Sequence, residues 1–189
     1  MNRLEIDWTY LRLANRVLAE YILLPEIYRS LTPVRGSGGA GGMSQLALGN
    51  ILLSLRRLQA ISLSDLEKSE LAELCKQIEQ VRDRWRANWE RKARREHADR
   101  LHLWQNYIKD LADDKKLISR GFPAQVRIRV IINLLDEEIG SPIPSEQTIL
   151  DEQDRLLRSI SSHDPFVWEQ ELADGFPEEI WWFLYRSFE

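Results

Sequence analysis

From Ser64 to Arg120 the chain contains neither proline nor glycine, and apolar residues recur there at the spacing of a helix packed along one seam. Leu71, Leu74, Ile78, Val81 and Trp85 are separated by 3, 4, 3 and 4 residues, the a/d rhythm of a coiled coil. Leu101, Trp104, Ile108 and Leu111 repeat that rhythm. A stretch so long and unbroken cannot belong to a sandwich or a barrel, and it commits the chain to helical architecture. One straight helix from Asp65 to Leu111 would be about 70 Å long at 1.5 Å per residue. The two seams lie 30 residues apart, two more than four heptads, so they are out of phase. Between them, Glu90–Arg100 offers only Ala93 and Ala98 as apolar side chains. The expectation is a long central helix that breaks in this stretch, or whose middle is mostly solvated. Ser64 with Glu67 three residues on predicts a capping box at its start.

The remaining signals are also helical. In residues 1–35, Leu4, Trp8, Leu11, Val17, Leu18 and Tyr21 form an amphipathic face that Pro25 should end at Leu24. Ile27, Tyr28 and Leu31 extend its apolar pattern by another turn. Leu46, Leu48, Ile51, Leu52, Leu55 and Leu58 predict a helix over 44–60. Pro123 begins a helix with Val126, Val130, Ile131, Leu134 and Leu135 inward, and Gly140 is its natural C-cap. Ser145 is expected to cap a helix carrying Ile149, Leu156, Leu157 and Ile160. Gly175-Phe176-Pro177 opens a last short helix. No useful strand alternation appears. The fold class is all-α, a bundle of about six helices around one long central helix, with its continuity left open between a break and a protruding middle.

Residues 36–42 read Gly-Ser-Gly-Gly-Ala-Gly-Gly, five of the chain's nine glycines, and Met43 follows directly. Such a run behaves as a flexible coil, and a start-like methionine behind it gives it the look of an engineered linker. The organisation is therefore read as an amphipathic segment over 1–35, a linker over 36–42 and a bundle domain over 43–189. On this reading 1–35 is a tethered partner segment or a permuted terminus, and a natural glycine-rich loop is the alternative.

Composition narrows the function classes. No apolar run reaches a membrane-spanning length. With Glu5 and Asp7 near the N-terminus, no secretory leader is expected. A single cysteine, Cys75, excludes a disulfide framework and a cysteine-based zinc site, and places the chain with cytoplasmic proteins. His97 and His102 are five apart, a poor spacing for a shared metal. No nucleophile elbow or phosphate-binding glycine motif is present, so neither an enzyme nor a cofactor is expected. Asp136-Glu137-Glu138 reads as a solvated face or a helix end.

Two constellations remain. Arg82–Arg100 interleaves tryptophans with eight basic and four acidic residues. Arg91, Lys92, Arg94 and Arg95 would be its phosphate-facing side chains if the chain met nucleic acid. Against this, Glu90–Arg94 and Glu96–Arg100 are i,i+4 pairs of an ordinary solvated helix. Beyond Asn133 the balance reverses to 14 acidic and 3 basic residues. There, adjacent Trp181 and Trp182 point about 100° apart on a helix, so one of them is free to serve an interface. The expectation is a non-enzymatic protein-interaction protein that accepts an amphipathic helix, with Trp8, Leu11, Leu18, Trp181 and Trp182 as partner-binding residues. Nucleic-acid association through the basic face is the alternative.

Overall fold

The computed structural model describes residues 3–31, 45–141 and 143–188. The side chain of Leu4, Thr32-Pro33, the 36–42 run, Met43 and Pro142 lie outside the described part. The architecture is all-α, with nine α-helices among the described residues and only two-residue strands beside them. The chain divides into two compact units, residues 1–96 and 97–189.

In the first unit, α1 (Arg3–Leu23), α2 (Leu48–Gln59) and α3 (Asp65–Arg84) pack together, with α1 against both of the others. The face predicted for α1 is the one that packs. Trp8, Leu11, Leu18 and Tyr21 are buried, while Arg16 on the opposite side is exposed. Polar ties fix its orientation. Arg12 grips Glu70 of α3 through a two-point fork (Nε–Oε1 2.6 Å, Nη2–Oε2 2.9 Å). Buried Asp7 accepts from Ser54 Oγ at 2.9 Å and lies 3.4 Å from Arg57 of α2. α1 stops ahead of Pro25, as the proline requires. The apolar pattern beyond it is not a further helical turn. There Arg29–Ser30 (β1) pairs antiparallel with Gln45–Leu46 (β2). Together the two strands hold the chain on either side of residues 32–44.

Ser64 and Glu67 form the capping box at the start of α3. The long helical stretch is broken, but not within Glu90–Arg100. Trp85, at φ −121° and ψ 36°, separates α3 from α4 (Arg86–Asp113). The stretch over Glu90–Arg100 is neither broken nor mostly solvated. Trp89, Lys92, Ala93, Glu96, His97 and Arg100 are all buried. The missing seam exists, and four of these six side chains are polar.

The second unit begins within α4, where Leu101, Trp104, Ile108 and Leu111 are all buried. Then come α5 (Lys115–Ile118), α6 (Phe122–Gln125), α7 (Arg127–Ile139) and α8 (Pro144–Ile160). Gly140 caps α7 at φ +78°, a conformation that glycine adopts freely. Pro144, and not Ser145, opens α8, with Ile143 as N-cap. Ser162–His163 (β3) pairs with Arg186–Ser187 (β4), bringing the C-terminal segment beside the end of α8. Between these strands, α9 (Glu178–Trp181) sits in a cluster of rings, with Phe176 5.2 Å and Phe183 6.0 Å from Trp181.

Candidate functional site

The buried face of α4 explains itself once its partners are named. α2 begins after Ala47, which has no side-chain oxygen to accept the free N–H groups of the first turn. Glu96, fully buried at 0% exposure, supplies one from outside, accepting from Gly49 N–H at 3.0 Å. One turn earlier, Lys92 does the converse at the end of α1. Its Nζ donates to the carbonyls of Leu24 (2.9 Å) and Glu26 (2.6 Å) and lies 3.9 Å from the centre of the Tyr21 ring. An anion at a helix start and a cation at a helix end both complement the backbone dipole. Two residues at i and i+4 on α4 therefore cap two different helices. Burial pushes the Lys92 ammonium down to about 8 and, with the Glu96 carboxylate, pushes the Tyr21 phenol up.

Beside Lys92 a cleft of about 220 Å³ opens, lined by Ile22, Leu23, Leu24, Pro25, Arg91, Lys92 and Arg95. Leu23 is half exposed (50%), an apolar side chain left at the mouth. Arg91 and Arg95 are exposed and flank it. Arg95 donates to Pro25 O at 2.5 Å, and Arg91 to Asn88 Oδ1 at 2.6 Å. Three of the four basic residues singled out in the sequence thus meet at one cleft. Arg94 is half-buried and is not among the lining residues. Lys92 is 5% exposed and engaged with backbone, so it is not part of a solvated basic face.

In the second unit the remaining candidates separate as the helix geometry requires. Trp181 is buried among rings, while Trp182 is half-buried, with the Arg158 guanidinium 3.4 Å from its ring centre. Sequence reasoning missed the roles of two buried polar residues here, Arg129 and His97. Arg129 forks onto Asp154 (3.0 and 2.8 Å), tying α7 to α8. His97 stands between two carboxylates, with Asp136 Oδ1 3.0 Å from Nε2 and Glu146 Oε2 3.0 Å from Nδ1. Burial opposes charge on that ring, but Asp136 and Glu146 outweigh it and raise the His97 pKa. Asp136 is therefore half-buried against His97 and not part of a solvated face. The one available signal was a charged residue at every third or fourth position of α4, in phase with Trp89 and Ala93. That signal reads as a face only when polar residues are admitted to the seam.

No protein-family model, no curated protein and no solved structure matches this chain. The all-α class and the cleft's chemistry carry the functional reading. Among the described residues, no helix is long and apolar enough to cross a membrane.

Proposed function

We propose that this is a non-enzymatic protein-interaction module, and that the cleft at the end of α1 seats an amphipathic segment of a partner protein. The observation that carries this reading is the half-exposed Leu23, with Ile22, Leu24 and Pro25 beside it and two exposed guanidiniums at its rim. An apolar floor with arginines at its edge fits a segment that presents an apolar side chain next to a carboxylate. Arginine is enriched at interface hot spots for this reason. α1 is an example of helix recognition by the same unit: Trp8, Leu11 and Leu18 seat it on α2 and α3. If 1–35 is a tethered segment, these are its partner-facing residues. Nucleic-acid binding is the weaker alternative, because Lys92 is buried and already donates to two carbonyls, and Arg94 is not among the cleft's lining residues.

A photo-crosslinking amino acid placed at Leu23, in cells of the source organism, tests the proposal. The expected result is a covalent adduct with one defined protein, reduced at least about tenfold by Arg91→Glu with Arg95→Glu. The same crosslinker at exposed Leu66, outside the cleft, is the control. Adducts with nucleic acid at Leu23 would establish the alternative. Labelling no greater than at Leu66 would overturn the cleft as a docking site.

A further inference from the structure

Residues 133–189 hold 14 acidic and only three basic residues, Arg155, Arg158 and Arg186. Two of those three meet at a single indole. The Arg158 guanidinium carbon lies 3.4 Å from the centre of the Trp182 ring, and that of Arg186 lies 5.6 Å from it. Arg158 is exposed in the last turn of α8, and its guanidinium makes no hydrogen bond or ion pair among the described residues. At 3.4 Å it packs against the ring, and the side chain is exposed to solvent. Arg186 is half-buried and held in place. Its Nε donates to Ser161 Oγ at 3.1 Å and one Nη to the Arg158 carbonyl at 3.5 Å. Its other Nη has no partner among the described residues. Burial and the neighbouring Arg158 charge both lower the Arg186 pKa. Glu178 acts in the opposite direction, but its carboxylate lies 3.1 Å from His163 and makes no ion pair with either arginine.

Two like charges thus converge in the most acidic part of the chain, neither of them in an ion pair among the described residues, with Glu178 the one carboxylate that acts on Arg186. We propose that Arg158 and Arg186, arranged about Trp182, form a binding site for a phosphate group. A planar carboxylate is satisfied by one guanidinium fork, whereas a tetrahedral oxyanion presents further oxygens to a second donor set. Arg158 already packs on the indole, and the donors gathered there are guanidinium N–H groups, so the ligand chemistry is that of the oxyanion. Free phosphate and a phosphomonoester share this chemistry. The proposal involves residues of the second unit alone and stands apart from the cleft at the end of α1.

The test is a titration of the full chain with inorganic phosphate at constant ionic strength, followed by NMR on the Trp182 indole N–H and the arginine Nε–H signals. The expected result is a saturable one-site shift with a Kd of about a millimolar or tighter. Arg158→Gln should abolish it. Arg186→Lys keeps the charge without the fork and should weaken binding at least about tenfold. Arg155→Gln, on an exposed side chain of the same helix, should bind like the wild type. A parallel titration with O-phosphoserine separates the sources: tighter binding than inorganic phosphate assigns the site to an ester, and equal or weaker binding to the free ion. Chloride reproducing the shifts at matched ionic strength would overturn the proposal. So would phosphate binding that is unchanged in Arg158→Gln.

Discussion

Charged side chains inside this protein serve as connectors. A buried carboxylate is tolerated only where donors surround it, and Glu96 has the Gly49 N–H of an otherwise uncapped helix. Removing the acceptor leaves that donor buried and unpaired, so Glu96→Ala should destabilise the fold by about 1–3 kcal/mol. Urea unfolding will measure the loss, and Arg91→Ala at the exposed rim should stay within about 0.5 kcal/mol of wild type. His97 gives a second residue-level test. Its pKa is raised in the folded state, so its charged ring stabilises the protein fully below about pH 6.5, the ordinary histidine value. That contribution is lost as pH rises through the folded value. A His97 ring titrating above the ordinary range by NMR is expected. The stability difference between wild type and His97→Gln should be greatest on the acid side and shrink as pH rises through the raised folded value. A difference independent of pH would exclude the ion-pair role.

At the scale of elements, α1 is held by more than its apolar stripe. Trp8, Leu11 and Leu18 are buried on α2 and α3, while the Arg12–Glu70 fork and the Asp7–Arg57 pair set its register. The exposed fork contributes little beyond orientation, since surface ion pairs are worth about 0–1 kcal/mol. The buried leucine dominates, and Leu11→Ala should cost about 2–5 kcal/mol, with Leu11→Asp greater still. Arg16→Ala, on the exposed side, should be close to neutral. Cleaving the chain within residues 36–42 should leave 1–35 bound to 43–189 through this face. Gel filtration of the cleaved protein, wild type beside Leu11→Asp, will show co-elution in the first and separation in the second.

At the scale of the whole chain, the boundary between the two units falls inside a helix and not in a linker. α4 runs from Arg86 to Asp113, and the division lies at Glu96–His97. Its residues cap helices of the first unit up to Glu96 and join the second from His97 onward. Backbone hydrogen bonds of an α-helix continue across that boundary, so amides of residues 93–101 should exchange slowly. Amides at the Trp85 break, where the helical dihedrals are lost, should exchange faster. Hydrogen exchange read by mass spectrometry checks both, and fast exchange at 96–97 would show the helix to be broken there.

The all-α class, the capping box at Ser64, the stop before Pro25, the Gly140 cap and the inward face of α1 follow from periodicity and local backbone chemistry, which one sequence displays in full. The position of the break and the face of α4 do not. Between Glu90 and Arg100 the sequence shows charge where a seam should be, and charge reads as solvent exposure. Only tertiary structure reveals that Lys92 and Glu96 face the loose ends of two other helices and that His97 meets two carboxylates. The same holds for Arg158 and Arg186, which lie 28 positions apart and meet at Trp182 only after the C-terminal strand folds back. Burial of a polar group depends on a partner far away in sequence, and no local pattern encodes where that partner will be.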